Sequence, residues 1–420
     1  MYVTAIELTE FRNYRSQQIT VHPDINVFFG ANAQGKTNIL EAVYLCACAR
    51  SHRTSRDSDL IHQDSDHYSV KVDFKTQSGH QDSLEIRYFD PVPGHPQRQK
   101  SIRQIYQNGV LLERISDMMG LFHAVIFAPE DLMLIKEGPA TRRRFLDLLI
   151  SQVRPTYFQD LQRYSRLLQQ RNKILKDLRE SRPATGSWGE TEQLEAWDLT
   201  MVPYAARIIH QRMIYIQRLD QMAEKHHSKI SSGKEKLNVK YRTVSGYSNE
   251  MSLPELSDLL LRKYKTNIYD DIARGSTQTG PHRDDLELVL QGEPMKPYAS
   301  QGQQRSAVLS LKLSELEIIT EDIGERPVLL LDDVMSELDS DRRRCLLESI
   351  SEAQVFVTCT DANHVVADIR LADESKLAIT QKETQAEPGH TTQTRHFSFF
   401  EVRSGQVNRV EHDSRISDIL

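Results

Sequence analysis

Cysteine is scarce in this sequence. Its four thiols, Cys46, Cys48, Cys345 and Cys359, are too few and too scattered for a disulfide framework, and no His or Cys cluster has zinc spacing. Reduced cytosol suits such thiols. Long apolar runs are missing too. Nothing approaches the roughly 18 to 20 unbroken apolar residues that a spanning helix needs, and the opening MYVTAIELTEFRNYR lacks a basic-then-apolar signal pattern. The expectation is a cytoplasmic protein with no membrane role. An excess of positive charge is also absent. With a formal net charge of −6, any contact with a polyanion has to come from a local patch. Aromatic residues are few, and no strand is rich enough in them to read bases. Any nucleic acid would be held by its backbone, with weak sequence preference.

What is present falls into blocks. At 420 residues the chain exceeds one ordinary domain. The first 130 or so residues read as strands: VTAIEL at 3–8, SQQITV at 16–21, INVFF at 25–29, YSVKVDF at 68–74, LEIRYF at 84–89, SIRQIYQ before the Asn108-Gly109 turn, and HAVIFA at 123–128. From Thr141 to about Lys229 the character becomes helical. Leu161, Tyr164, Leu168, Arg171, Leu175 and Leu178 share one stripe with Arg171 as the misfit, and Leu194, Trp197, Val202, Ala205, Ile209, Met213, Ile216 and Leu219 form a second. The break SRPATGSWG at 181–189 predicts that the two helices fold back as an antiparallel hairpin. Between Arg142 and Arg179 stand ten Lys or Arg and three Asp, a local balance of +7 that is either a solvated face or an anion-binding one. Later segments return to sheet. LNVKYRTV, the alternation of Leu286, Leu288 and Leu290, and the aliphatic strands VLLL at 328–331 and VFVTC at 355–359 read as strands, the last two as buried parallel ones.

Chemistry concentrates at three places. Gly30, Ala31, Asn32, Ala33, Gln34, Gly35, Lys36 and Thr37 satisfy G-x-x-x-x-G-K-[ST] directly after a strand and before the helical NILEAVYLCACA. In that context glycines let backbone N–H groups face phosphate oxygens, Lys36 reaches the β- and γ-phosphates of ATP, and the Thr37 hydroxyl is placed to ligate Mg²⁺. Asp332 ends the run VLLLD and is the expected metal-side acid, on a strand neighbouring the loop-bearing one. Asp333 follows and can orient the attacking water. Third, Ser300-Gln301-Gly302-Gln303-Gln304 opens a helix shortly before that acidic strand, offering backbone donors to a γ-phosphate.

Taken in this order, the three elements resemble the phosphate loop, signature and Walker B strand of ABC ATPases, with Ser336-Glu337-Leu338-Asp339 similar to the loop that follows. More specific details resemble the RecF family and its SMC relatives: Phe11-Arg12-Asn13-Tyr14 after the first strand, Phe127-Ala128-Pro129-Glu130-Asp131, Arg142-Arg143-Arg144-Phe145-Leu146-Asp147, Thr279 to Asp285, and Phe400 to Val407. The resemblance implies an α/β fold, an ABC-type P-loop ATPase head of mixed sheet and flanking helices over 1–128 plus 275–420. An inserted helical arm domain would occupy 129–274, with flexible extensions at about 381–396 and 411–420. It implies a slow, DNA-stimulated ATPase that uses ATP and Mg²⁺ to form a homodimer on double-stranded or gapped DNA. Its role would be recombinational repair and fork maintenance, loading recombinase with the RecR and RecO proteins, with a link to the SOS response. Lys36, Asp332 and Asp333 would be catalytic, with Thr37 and Asp332 at the metal. Arg12 and Asn13 would touch nucleotide, and Ser300, Gly302 and Gln303 would act on the partner's phosphate. Candidate DNA contacts are Arg142, Arg143, Arg144, Arg163 and Arg166, although the first three could equally brace the domains. The family's histidine switch would fall near Thr358, where this chain carries threonine.

Three other readings stay open on the residues. A transporter ATPase subunit shares the motifs but not FRNY or the long helical insertion. An SMC-like component of a DNA-defence nuclease would need a compact acidic metal cluster beyond Asp332 and Asp333. A nucleotide-dependent scaffold would bind ATP without appreciable hydrolysis.

Overall fold

A computed structural model of the chain describes residues 1–91, 100–181, 188–350, 353–363, 366–367 and 396–410. Apart from His396, the extensions expected at 381–396 and 411–420 lie outside the described residues, as do residues 182–187 of the helical break at 181–189. Two compact units emerge: Met1–Leu132, His226–Gly233 and Arg305–Leu420 form the first, Met133–Lys225 and Lys234–Gln304 the second. No described helix is long and apolar enough to cross a membrane.

The first unit is built on two sheets. One is antiparallel, in the order β2 (Tyr14–Thr20), β1 (Tyr2–Phe11), β4 (His67–Lys75), β5 (Gln81–Phe89), β6 (Ile102–Gln107), β7 (Val110–Leu111). In β4 Tyr68, Val70, Val72 and Phe74 alternate inward, the period of two that a strand imposes on its side chains. The second sheet orders β15 (Gln406–Val410), β14 (Phe397–Arg403), β3 (Ile25–Phe29), β13 (Val355–Cys359), β12 (Val328–Asp332) and β8 (Ala124–Phe127). All but β15 run parallel. Helix α1 (Lys36–Cys48) packs against β4 and β5 of one sheet and against β8, β12 and β13 of the other. Covered on both sides, it buries every residue except Thr37 and Asn38, which is why NILEAVYLCAC is apolar nearly all round rather than striped. The sheet order corrects one expectation. Asp332 does not sit on the strand next to β3, because β13 intervenes; local patterning marks a buried strand but not its neighbours.

The second unit comprises α2 (Met133–Lys136), α3 (Pro139–Val153), α4 (Pro155–Ser181), most of α5 (Trp188–Ile230), α6 (Leu253–Thr266), α7 (Ile268–Arg274) and α8 (Met295–Tyr298), with a small sheet of β9 (Leu237–Arg242), β10 (Asp285–Leu290) and β11 (Glu293–Pro294). Helices α4 and α5 lie antiparallel. Arg207 binds Asp160, Arg163 meets Tyr204 and Arg171 binds Asp198, so numbers rise along one helix as they fall along the other. Arg171, the misfit of the first stripe, is fully buried. Its Nε donates to Asp198 at 2.6 Å and its NH1 to Asp271 at 2.7 Å and Thr277 at 2.8 Å, over the ring of Tyr264. A buried cation needs such a shell of acceptors.

The expected return to the head at residue 275 is also revised. Residues 275–304 stay with the inserted unit, where β10 pairs with β9 and the acids at 284–285 are claimed by its arginines. Arg142 grips Asp285 with two bonds of 2.8 and 2.9 Å, and the buried Arg212 reaches Asp284 at 3.1 Å and Asp147 at 3.0 Å.

Further along the described residues come α9 (Gln301–Ile323), α10 (Val334–Glu337) and α11 (Ser340–Ser349). Asp339 caps α11 by accepting from the Arg342 backbone at 3.0 Å.

Candidate functional site

The carboxyl ends of β3, β12 and β13 share one edge of the parallel sheet, the edge where such sheets bind ligands. From β3 the chain turns through Gly30 and Gly35, both in positive-φ conformations (148° and 114°), and enters α1 at Lys36. A side chain is excluded at either glycine. At Gly30 a Cβ would run into the Val402 carbonyl, and at Gly35 into Asn13 and the Tyr14 hydroxyl. These contacts show what supports the loop. Asn13 Nδ2 donates to the Gln34 carbonyl at 2.7 Å, Tyr14 donates to the Gly35 carbonyl at 3.0 Å, and the Ser404 backbone donates to Gln34 Oε1 at 2.7 Å. The loop is thus held between the segment after β1 and the turn joining β14 to β15.

Lys36 is largely buried, and its ammonium donates to the carbonyls of Gly30 at 2.7 Å and Ala31 at 2.9 Å. Burial draws its pKa down against the pull of Asp333, Cys359 and Asp332. Thr37 Oγ1 donates to Asp332 Oδ1 at 2.8 Å, which brings the loop and the acid together across β13. Asp332 is 4% exposed. Burial pushes its carboxyl pKa up, opposed by the hydroxyls of Thr358 and Thr37. Asp333 is half-buried and left-handed at φ 52°, with Ser336 donating to its carbonyl at 2.8 Å. Both buried charges are held at a cost that a ligand of opposite sign would offset: a triphosphate for Lys36, a divalent cation for Asp332. With one hydroxyl and one carboxylate, the donor set suits Mg²⁺, which commonly completes its shell with water and substrate phosphates.

Arg12 is placed differently from Asn13. Its guanidinium makes a two-bond pair with Glu41 at 2.9 and 2.8 Å and donates to the Asp59 carbonyl at 2.7 Å. Burial works against the Glu41 charge, but bonds from Arg12 and Ser51 outweigh it and keep the carboxyl below its ordinary range. Glu41 was missed by sequence reasoning. Its signal was a lone acid inside an otherwise apolar helix, which requires a cation nearby.

In the second unit, exposed Ser300 caps α9. Gln303 N donates to Ser300 Oγ at 3.3 Å while Ser300 N donates to Gln303 Oε1 at 2.8 Å, a reciprocal arrangement that satisfies two otherwise orphaned donors. Gln303 Nε2 also donates to Glu235 at 2.9 Å, and Gly302 lies within the first turn. Among the basic candidates, Arg142 is taken up by Asp285, and Arg143 donates to the Asp284 carbonyl at 2.6 Å. Arg144 is half-buried on the same helix. Arg163 and Arg166 are exposed on α4.

A phosphate loop feeding a helix buried between two sheets, with its threonine bonded to the acid of a parallel strand, is the construction of an ABC-type P-loop ATPase head, and residues 2–385 match the family described as RecF/RecN/SMC N terminal domain. The protein "DNA replication and repair protein RecF" of Acetivibrio thermocellus is 42% identical over 361 residues, covering 86% of this chain and 94% of that protein. Its namesake in Ruminiclostridium cellulolyticum is 41% identical over 364 residues, covering 87% and 94%. A solved structure described as "the recombination mediator protein RecF-ATP in RecFOR pathway" is similar at a TM-score of 0.80 and 33% identity, covering 97% of each chain. This chain belongs to the RecF family of DNA replication and repair proteins.

Proposed function

We propose that this chain is an ATP-dependent DNA-binding protein of recombinational repair and replication-fork maintenance that hydrolyses ATP slowly, with DNA as stimulus. The reading rests above all on the 2.8 Å bond from Thr37 to Asp332, which joins the phosphate loop to the acid that a metal would need. Backbone N–H groups of Gly30 to Thr37 hold the phosphates, and Lys36 leaves its two carbonyls to engage the β- and γ-phosphates. Thr37 and Asp332 would hold Mg²⁺, which would supply neutralisation of phosphate charge. Asp333 orients the water. It is one methylene shorter than the Glu usual in ABC ATPases, and slow turnover follows.

Ser300, Gly302 and Gln303 close over the nucleotide of a second copy, which makes dimerisation ATP-dependent. Exposed Arg163 and Arg166 contact the DNA backbone, double-stranded or gapped, together with whichever of Arg142, Arg143 and Arg144 remains reachable. Arg12 acts on nucleotide through the Glu41 network and Asn13 through the loop. A similar solved structure is described as a recombination mediator in a RecFOR pathway, which supports RecR and RecO as partners; recombinase loading, a cytoplasmic setting and a link to the SOS response belong to the same proposal. Sedimentation with and without ATP and gapped DNA tests the reading. A dimer that requires ATP and is strengthened by DNA supports it; a monomer under all conditions overturns it.

A further inference from the structure

Thr358 lies on β13, opposite Asp332 of β12 on one side and Phe28 of β3 on the other. Its side chain is buried and touches both acids of the site. The Asp333 backbone N–H donates to Thr358 Oγ1 at 2.9 Å, and Thr358 Oγ1 donates to Asp332 Oδ1 at 2.7 Å. A threonine hydroxyl carries one hydrogen. Having accepted the peptide N–H, it directs that hydrogen to the carboxylate, so none remains for a γ-phosphate. This distinguishes it from a group that reads the nucleotide directly. Asp332 Oδ1 receives a second hydroxyl from Thr37 at 2.8 Å, which anchors that one oxygen twice. The N–H bond also pins Asp333 where its backbone is left-handed, a conformation that residues other than glycine seldom hold unsupported.

We infer that Thr358 is a positioning residue of the hydrolytic reaction: its single hydroxyl fixes the metal-side acid Asp332 and the water-side acid Asp333 relative to one another. The inference rests on the ATPase reading above and deepens it. Valine in place of threonine keeps the shape and loses both bonds; serine keeps the bonds and loses the methyl.

The test compares Thr358→Val and Thr358→Ser in the full chain by two readouts, steady-state ATP turnover and the Mg²⁺ concentration for half-maximal binding of a fluorescent ATP analogue. Loss of such a supporting partner costs about 10- to 100-fold in activity or metal affinity. For Thr358→Val, kcat should fall within that range with KM within about threefold of the parent, and the Mg²⁺ midpoint should rise about tenfold or more. Thr358→Ser should stay within about threefold of the parent in both. Thr358→Ala repeats the comparison should the valine variant not fold. Equal impairment by serine and valine overturns the inference, as does an unchanged Mg²⁺ midpoint in the valine or alanine variant. If the parent itself shows no turnover, the ATPase reading fails, while the Mg²⁺ midpoint still decides the place of Thr358.

Discussion

Lys36 and Asp332 each carry a charge that burial disfavours, and each is bound by groups that a ligand would replace or join. Lys36→Met should therefore abolish nucleotide-driven pairing, read as loss of the ATP-dependent dimer in sedimentation. Asp333→Asn should bind ATP as the parent does and lengthen the dimer's lifetime; unchanged phosphate release in that variant would remove Asp333 from its role. His282 makes a second prediction in the inserted unit. Its Nε2–H donates to the Thr277 carbonyl at 2.9 Å, so Nδ1 accepts from the Tyr164 hydroxyl at 2.6 Å. Burial, against the Thr277 bond and helped by Arg283, Arg143 and Arg171, pulls its pKa down to about 4. An unfolded histidine titrates near 6.5. Below that value the unfolded chain gains a proton that the folded chain refuses, so stability falls as pH drops from about 6.5 towards 4. The loss from this group reaches about 3 kcal/mol at most. Urea midpoints at pH 7.5 and 5 should differ less in His282→Gln than in the parent.

Residues bound by backbone chemistry were readable in advance. Gly30 to Thr37 need no partner from elsewhere to be recognised, since the spacing itself encodes the cradle. Residues defined by distant contacts were not. Arg171 looked like an error in a stripe because its acceptors come from Asp198, Asp271 and Thr277, and no local pattern announces them.

At the scale of elements, the Arg171 cluster ties α4 to α5 and to α7. Replacing it with methionine strands Asp271, which is fully buried, and Asp198, which is nearly so. Breaking a buried pair of this kind costs on the order of 3–5 kcal/mol, so Arg171→Met should lower the denaturant midpoint of the inserted unit sharply. The β14–β15 hairpin offers a second test. Gly405 has φ 73°, and a Cβ there would strike the Asn13 carbonyl. Gly405→Val should add strain of about 1–3 kcal/mol, withdraw the turn from Gln34 and weaken ATP affinity, measurable by nucleotide titration. Strand positions were largely legible, because burial on both faces leaves unbroken aliphatic runs such as VLLL. Their order was not. That β13 would insert between β3 and β12, or that β14 would flank β3 on the other side, depends on pairing energies between distant segments.

At the scale of the whole molecule, the insertion was visible as a shift from strands to long polar helices. Its far boundary was misjudged, since the strand Asp285–Leu290 looks like head sheet until its partner β9 is known. The arrangement of the second sheet also governs when the protein becomes competent. The phosphate loop is translated well before Asp332, Thr358 and the turn at Ser404 and Gly405 that complete its walls. A nascent chain displaying Gly30 to Thr37 has only half a pocket. On the proposed ATPase reading, nucleotide capture would await the docking of β13 and β14 on either side of β3.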